Sequence, residues 1–394
     1  MKPLSMNARL EYLIRKKTMY LKASVQERTV ILDEICKTTC LNRKYVIGLL
    51  QAKTDLKARK DRPPTKRPPT YTNEHAYYLK KIWNILDCPC GQRLVSVMTE
   101  TIEALSRHKE ISLSEGIREK LCHMSASTID RLLKPWKAQA KRRVHGTTKP
   151  GSFLKKQIPI QLSRWDEKRL GFSEIDLCAH NGGNPEGEFA NTLVDTDLAS
   201  GWTEQQAFLG KAQKHVKAAL IEIDQRRPFK RKGIDSDSGG EFLNWLMFKF
   251  CEDQEIKFTR GRPGKKNDNP YVEQKNWTHV RKVVGYHRYD TERQVHLLND
   301  LYENELRLYE NFFQPTIKLE EKRRIGGRVH RIYGKAKTPY QRIMESEEVS
   351  AEKKAALRRL YLSLNPADLK RKIEKKLDVL FKTVRRPSDL KKEK

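Results

Sequence analysis

The apolar positions of residues 166 to 300 repeat in two ways. Short runs rich in β-branched and aromatic residues predict strands, whereas apolar residues three and four positions apart predict helices. The predicted strands are 172–179, 191–198, 201–208, 231–237 and 255–260. The predicted helices are 211–224, 240–252 and 271–287. Three strands followed by alternating helices and strands indicate an α/β core with a mixed five-stranded sheet covered on both faces.

For two of these helices the sequence also predicts which side chains are buried. The segment 242–250 is apolar almost all round, so we expect it to be buried. In the helix that begins at Pro270, one stripe is predicted to pack on the sheet and to place Glu273 at its top. The stripe consists of Trp277, Val280 and Val284. Lys275 and Lys282 fall on the opposite side, which predicts that they face solvent or DNA.

The N-terminal segment has the pattern of two short helices joined by a polar break. Asn42 can cap the second helix, which leaves Arg43 and Lys44 exposed at its start. The predicted buried positions are Ile31, Leu32, Ile35, Tyr45, Val46, Leu49 and Leu50. A helix-turn-helix places this end of its second helix in the major groove, and the alternative is a plain helical hairpin.

Residues 73–136 are again helical, between two basic linkers. The stretch 125–136 predicts a helix capped by Ser125 or Ser127, with Thr128 and Arg131 accessible to DNA in a second helix-turn-helix module. Its inward positions are Ile129, Leu132, Leu133 and Trp136. The predicted divisions are a helix-turn-helix domain 1–56, a Pro-rich linker 57–72, a second helical domain 73–136, a linker 137–165, the α/β core 166–312 and a basic C-terminal β/α region 313–394.

Charge narrows the class of partner. The chain has 80 Lys+Arg against 50 Asp+Glu, a net charge of +30, and basic residues recur through all three thirds. A field of this sign attracts polyanions, so nucleic acid is the expected partner and a membrane surface the weaker alternative. The 394 residues contain no apolar run long enough for a spanning helix. Seven scattered cysteines indicate reduced thiols in an intracellular protein, with little support for a zinc site at Cys36/Cys40 or Cys88/Cys90.

Acidic residues occur where the predicted strands end. Asp176 lies in the first strand and Asp237 ends the fourth, in the segment 234-IDSDSGGEF-242. In a sheet of this kind ligands bind where strand ends converge, and Glu273 is predicted to point at the same place. Asp235, two residues before Asp237, is a candidate supporting or structural carboxylate.

These motifs resemble the DDE transposase and retroviral-type integrase superfamily. Asp237 and Glu273 are separated by 35 residues, and the sequences around Asp176, Asp237 and Glu273 are similar to the three acid motifs of that family. Ser238 and Pro270 stand where the family usually has Asn and Gly. The absence of the His/His/Cys/Cys zinc module, together with the N-terminal helical segments, makes the chain similar to bacterial insertion-sequence or Mu-like transposases.

The resemblance implies an RNase H-like core and a two-metal phosphodiester chemistry. Three converging carboxylates repel one another, and Mg²⁺ or Mn²⁺ would relieve that repulsion. Asp176 and Asp237 are the expected paired ligands and Glu273 a ligand of the second ion. Asp195 and Asp197 are rival candidates for the first acid, but the family carries that acid on the first strand, which favours Asp176.

The implied activity is DNA cleavage at terminal inverted repeats and strand transfer into target DNA, by a dimer or tetramer of the chain in the bacterial cytoplasm. A retroelement-like integrase and a DNA-binding regulator derived from a transposase are the alternatives. The predicted DNA contacts are Arg43, Lys44, Arg59, Lys60, Lys66, Arg67, Thr128, Arg131, Arg142, Arg143, Lys265 and Lys266.

Overall fold

The protein is represented by a computed structural model. It describes residues 4–52, 70–140, 169–236, 242, 244–260, 270–326 and 328–384. The chain forms two compact units, Met1–Thr70 and Tyr71–Lys394. Arg59, Lys60, Lys66, Arg67, Arg142, Arg143, Asp237, Lys265 and Lys266 lie outside the described residues.

The first unit contains the helices Met6–Lys22, Val25–Thr39 and Arg43–Gln51. The Asn42 side chain accepts a hydrogen bond from the Lys44 N–H, as predicted for the cap. Residues from all three helices form its apolar core, among them Leu13, Tyr20, Leu32, Ile35, Val46, Leu49 and Leu50. Tyr45 is exposed, so its predicted burial is wrong, because the buried side of this nine-residue helix is narrower than the apolar pattern.

The second unit begins with a helical region that packs into a larger core. Its helices are Asn73–Ile85, Gly91–Arg107, Glu115–Cys122 and Ala126–Ala140. Ser125 caps the last helix by accepting from the Thr128 N–H at 3.3 Å. The apolar cluster that contains Leu79 and Leu133 also contains Phe312 and Ile373 from the far end of the chain. The helical region is therefore part of one packed body with the segments that follow it.

The five-stranded sheet is the centre of the second unit. Its strands are β1 Phe172–Ala179, β2 Ala190–Asp197, β3 Thr203–Leu209, β4 Gly233–Ser236 and β5 Lys257–Arg260. Their order is β3-β2-β1-β4-β5. The β1–β2 and β2–β3 pairs are antiparallel, and the β1–β4 and β4–β5 pairs are parallel. The predicted mixed five-stranded sheet is confirmed.

Both faces of the sheet are covered, as the order of strands and helices predicts. Every residue of β2 is buried. Leu193 packs in one apolar cluster with the helices Gln213–Arg226 and Trp245–Asp253, whereas its neighbour Val194 packs in the cluster on the opposite face. Alternation along one strand thus separates the two cores of the sheet.

The helix Trp245–Asp253 departs from the expectation of complete burial. Met247, Phe250 and Cys251 are buried, but Trp245 is 74% exposed and Phe248 48% exposed. These two rings stack on each other, with centroids 5.6 Å apart. The prediction of burial all round is wrong because this helix lies on the outside of the sheet, where only one of its sides has neighbours.

Helical segments cover the rest of the second unit. The Pro270 helix comprises Pro270–Lys275, the π-helical turn Asn276–Arg281 and Lys282–Val284. A second interrupted helix comprises Glu292–Leu301, the π-helical turn Tyr302–Leu306 and Arg307–Phe313. The C-terminal region contains the hairpin β6 Leu319–Ile325 and β7 Arg328–Tyr333 and the helices Pro339–Glu345, Ala351–Ser363 and Pro366–Lys382. Among the described residues, no helix has both the length and the apolar composition needed to cross a membrane.

The last helix, Pro366–Lys382, packs into the second unit although it is rich in basic residues. Leu369, Ile373 and Leu380 of Pro366–Lys382 are buried. Arg371 forms an ion pair of 2.6 Å with Glu110 in the helical region. Burial and ion pairing thus hold part of the C-terminal basic charge within the second unit.

Candidate active site

The parallel strands β1 and β4 bring the first two acid positions to the same level of the sheet. Their register pairs Phe172 with Gly233 and ends with Ile175 opposite Ser236. Asp176 follows the first member of that last pair, and position 237 follows the second. The carboxyl end of β4 is therefore level with the middle of β1, where Asp176 lies.

Asp176 is half-buried and accepts hydrogen bonds from two neutral donors. The Asn276 Nδ2 group donates to Asp176 Oδ2 at 2.6 Å. The Leu177 N–H donates to Asp176 Oδ1 at 2.8 Å. Both contacts orient the carboxylate. Asn276 was not singled out in the sequence, although it lies three residues after Glu273 and thus on a neighbouring helical position.

A second carboxylate anchors the Pro270 helix to β1. Glu174 is fully buried, and its Oε2 atom accepts from the Val272 N–H at 3.0 Å. Val272 and Asn276 stand on either side of Glu273 in the chain, and each contacts an acid of β1. The backbone of Glu273 is therefore held beside β1. The sequence signal for this role of Glu174 is its spacing of two from Asp176, which places both side chains on one face.

The π-helical turn changes which residues of the Pro270 helix are buried. Val280 and Val284 are buried as predicted, but Trp277 is 49% exposed. Lys275 is buried, so its predicted exposure is wrong, whereas Lys282 is exposed as predicted and pairs with Asp87. A π-helical turn contains an additional residue, so the side chains before it are rotated relative to a regular helical stripe.

Lys275 belongs to a buried polar cluster behind the helix. Its Nζ atom lies 3.0 Å from His279 Nε2, and His279 Nε2 lies 3.4 Å from Glu310 Oε2. Burial lowers the pKa of Lys275 to about 8. Burial also raises the pKa of Glu310, and this effect outweighs the positive charge of Lys275, which by itself would lower that pKa. Gln205 donates to Glu310 at 3.1 Å, which ties the cluster to β3.

The remaining acids of the sheet have structural partners. Asp235 is buried and accepts from Thr259 Oγ1 at 2.8 Å across the β4–β5 pair. Asp195 pairs with Arg231 at 2.5 Å and with Arg227 at 3.5 Å. Burial by itself would raise the pKa of Asp195, but the two guanidinium groups outweigh it and hold that pKa below its usual value.

Asp197, the other rival for the first acid, is likewise used within the fold. Its Oδ1 atom accepts from the Ser200 N–H at 2.7 Å and from Ser200 Oγ at 2.6 Å. Its Oδ2 atom accepts from the Gly171 N–H at 2.8 Å. Burial raises the pKa of this carboxyl, although Arg227 lies 3.8 Å away. Asp195 and Asp197 thus both lie in a neutralised interior network.

Comparison with known proteins gives one full-length relative. The chain is 33% identical over 338 residues to the uncharacterized protein y4rM of Sinorhizobium fredii. The aligned region covers 84% of this chain and 93% of y4rM. The chain belongs to the y4rM family. No family model matches it.

Solved structures that resemble this y4rM-family chain include integrase catalytic cores. The HTLV-2 integrase catalytic core domain in complex with magnesium is 16% identical and has a TM-score of 0.28, with 37% of this chain and 88% of that chain covered. The catalytic core domain of BIV integrase is 17% identical at a TM-score of 0.28, covering 45% and 95%. The simian T-cell lymphotropic virus intasome with the PP2A regulatory subunit B56 gamma is 12% identical at 0.32, covering 54% and 70%.

The described part of this y4rM-family chain contains one of the three acids expected to bind a divalent cation, Asp176. Asp176 offers a carboxylate held by neutral hydrogen-bond donors, and oxygen ligands of this kind are those that Mg²⁺ prefers. Position 237 and the Glu273 side chain lie outside what the structure describes, and within the described part no three His, Cys, Asp or Glu side chains form a metal site. All seven cysteines are unbridged.

Four predicted DNA contacts of the y4rM-family chain lie in the described part. Lys44 and Arg131 are exposed, and Thr128 is half-buried. Arg43 forms an ion pair with Asp33 on the preceding helix. Lys44 and Arg131 are therefore the most accessible of these positions, whereas Arg43 would have to leave Asp33 to bind a phosphate.

Proposed function

We propose that this chain is a DDE-type polynucleotidyl transferase that cuts and joins DNA. The observation that carries the proposal is the convergence of three chain segments. The β1–β4 register ends one residue before both Asp176 and position 237, and contacts from Val272 and Asn276 hold the Glu273 backbone beside β1. The described segments that carry or precede the three acids thus lie close to one another, which supports the proposal.

The three acids Asp176, Asp237 and Glu273 are the proposed ligands of two Mg²⁺ or Mn²⁺ ions. When bound, such ions would stabilise charge on the attacking and leaving oxygens of a phosphodiester displacement. Asn276 would hold the Asp176 carboxylate in one orientation, and Glu174 would keep the Pro270 helix at the correct height along β1. Preorganised ligands of this kind lose little entropy when the substrate binds.

The proposed reaction has two steps of the same type. Water would attack the phosphodiester at the end of the element and release a 3′-OH, and that 3′-OH would then attack a phosphodiester of the target. One P–O bond forms and one breaks in each step, so neither step requires ATP. Because two ends must be joined to one target, we propose that the chain acts as a homo-oligomer on double-stranded DNA with terminal inverted repeats.

The test is cleavage of supercoiled plasmid in Mg²⁺ by the full-length chain and by Asp176→Asn, Asp237→Asn and Glu273→Gln. Loss of a metal ligand removes several kcal/mol of transition-state stabilisation, so we expect each rate to fall by about 10³-fold or more. Asp253→Asn, an exposed acid on the helix Trp245–Asp253, is the matched control and should cleave at the wild-type rate. In strand transfer of a precut duplex, the same three variants should be slow and Asp253→Asn should again match the wild type.

Two results would contradict the proposal. If the three variants cleave as fast as the wild type, the assigned acids do not carry the chemistry. If the wild-type chain binds DNA but neither cleaves nor joins it in Mg²⁺ or Mn²⁺, the DNA-binding regulator descended from a transposase becomes the better description. Joining that requires element ends with terminal inverted repeats would favour a transposase over a retroelement-like integrase.

A further inference from the structure

The hairpin β6–β7, residues 319–333, stands apart from the five-stranded sheet and is called the ribbon below. Its register pairs Arg323 with His330, Arg324 with Val329 and Ile325 with Arg328. All six residues of β7 are exposed. Each strand has a rise of about 3.3 Å per residue, so the ribbon is roughly 20 Å long. Within the described residues it pairs with no further strand.

The ribbon exposes apolar side chains together with basic ones. Ile325 is 61% exposed, Val329 49% and Tyr333 57%. An isolated two-stranded hairpin is marginally stable in water, and exposed apolar side chains on it gain stability when a partner covers them. These features indicate a binding element rather than a packing element.

The charge of the ribbon specifies the partner. Residues 319–333 contain five Lys+Arg and two Glu. One of the two, Glu321, already pairs with Arg323 at 2.6 Å. Within the described residues, no carboxylate lies within ion-pair distance of Arg324, Arg328 or Arg331. Because directly paired residues and residues two apart share a face, Arg324, Val329 and Arg331 lie on one side of the ribbon.

The base of the ribbon is fixed to the sheet. Lys318 donates to the carbonyls of Leu198 and Ala199 in the β2–β3 turn. Arg342 donates to the Thr316 carbonyl at 2.6 Å and to the Ser200 carbonyl at 3.2 Å. This turn lies beside Phe172, the first residue of β1. Asp176 comes four residues after Phe172, which is roughly 13 Å at the rise of a strand.

We propose that the ribbon binds duplex DNA by inserting into the major groove with its Arg324–Arg331 face. A two-stranded ribbon fits a groove about 12 Å wide and 8.5 Å deep, and its length exceeds that depth. Arginine donors reach guanine edges and phosphates there, and Val329 can contact thymine methyl groups. The choice of DNA rests on the proposed function. Since the base is anchored to the sheet, this contact sets the position of the duplex relative to the candidate active site.

The test compares the full-length chain with Arg324→Ala/Arg331→Ala. Binding to a 30-base-pair duplex is followed by fluorescence anisotropy in EDTA over a series of salt concentrations. Loss of two phosphate or base contacts should weaken binding at least tenfold and should reduce the slope of log K against log salt by about 2. Lys211→Ala/Lys214→Ala removes the same charge at exposed positions of the sheet domain and should change the slope by less than half as much.

Methylation interference separates groove insertion from contact with the backbone. Methylation of guanine N7 blocks the major groove, so it should weaken binding of the wild type at defined positions and have no effect there on the double variant. A binding effect without N7 interference would overturn the groove assignment. Unchanged DNA affinity would overturn the whole proposal, and altered self-association alone would assign the ribbon to an interface between copies.

Two further readouts keep the result interpretable. Equal thermal unfolding of the variant and the wild type would show that binding is lost without loss of folding. Because binding is measured without metal, a chain that lacks cleavage activity but shows the predicted ribbon effect would contradict the proposed function while supporting the ribbon. If the wild-type chain cleaves DNA and the ribbon variant binds DNA as tightly as the wild type, the proposed function is supported and the ribbon proposal is contradicted.

Discussion

Two groups of carboxylates in the same five-stranded sheet have opposite environments. Asp195 and Asp197, near the end of β2, are fully buried beside Arg227 and Arg231. Asp176, in the middle of β1, is half-buried and receives hydrogen bonds from an amide and a backbone N–H. A carboxylate whose charge is already compensated by arginine gains little from a cation. The environment, and not the residue type, distinguishes structural acids from a candidate metal ligand.

The difference follows from which segment of the chain lies beside each group of carboxylates. The helix Gln213–Arg226 ends beside β2, and the chain then passes Arg227 and Arg231 under the Asp195 side chain. Both guanidinium groups are buried, so their desolvation is offset only by the acids that they contact. At β1 the neighbouring segment is the Pro270 helix, which contributes Asn276. The face of the sheet that carries Asp195 is therefore electrostatically closed, whereas the opposite face, which carries Asp176, provides an oriented carboxylate.

The largest effect that distinguishes the two groups is on stability. Asp195→Asn removes the carboxylate that pairs with both Arg231 and Arg227, and these buried guanidinium groups keep only Asp224 and Asp197 as partners. The free energy of unfolding should therefore fall by about 3–5 kcal/mol in urea denaturation. Asp176→Asn should change it by less than about 1 kcal/mol, because Asp176 is half-buried and held by neutral donors. If Asp195→Asn unfolds at the wild-type urea concentration, the two groups do not differ in the way described.

An acid-stability measurement sharpens the comparison. Burial, assisted by Arg281, lowers the pKa of His180 to about 3, so the folded state keeps this ring neutral while the unfolded chain protonates it near pH 6.5. The stability it contributes is complete above pH 6.5 and is lost as the pH falls toward 3. Between pH 7 and pH 5 this loss is about 2 kcal/mol.

His180→Gln tests this expectation, because glutamine can still bond to Thr192 Oγ1, which lies 2.7 Å from His180 Nε2, but does not titrate. The loss of unfolding free energy from pH 7 to pH 5 should be smaller in the variant by about 2 kcal/mol. Asp195 itself should contribute little in this window, since Arg231 and Arg227 keep its pKa below the usual value. An identical pH dependence of both proteins would contradict the assignment.

The smallest effect concerns the orientation of Asp176. Asn276→Ala removes a hydrogen bond to a charged group, worth about 1.5 kcal/mol, and should lower the cleavage rate about tenfold. The Mg²⁺ concentration for half-maximal activity should rise by a similar factor, a change that a purely structural role would not produce. Gln274→Ala, at an exposed position of the same helix, is the control. A rate loss without a shift in Mg²⁺ dependence would show that Asn276 does not position a metal ligand.

The sequence by itself determined the elements and their order. A short strand-like run placed β1 at 172–179, and the succession of elements predicted the mixed sheet. Asn42 and Ser125 were recognised as caps because capping depends on residues that are adjacent in the chain. The spacing of Asp237 and Glu273 placed both acids in one family pattern, although the Asp237 backbone and the Glu273 side chain lie outside the described residues.

Only the tertiary structure decided which of several similar residues are available for chemistry. Asp195 and Asp176 are both acids in apolar strands, and the arginines that distinguish them come from a segment more than thirty residues away from Asp195. Lys275 and Trp277 exchanged their expected environments because a π-helical turn adds a residue that no local pattern announces. Local periodicity is fixed by backbone geometry, whereas burial and charge compensation are fixed by which distant segments pack together, and that information resides in the fold.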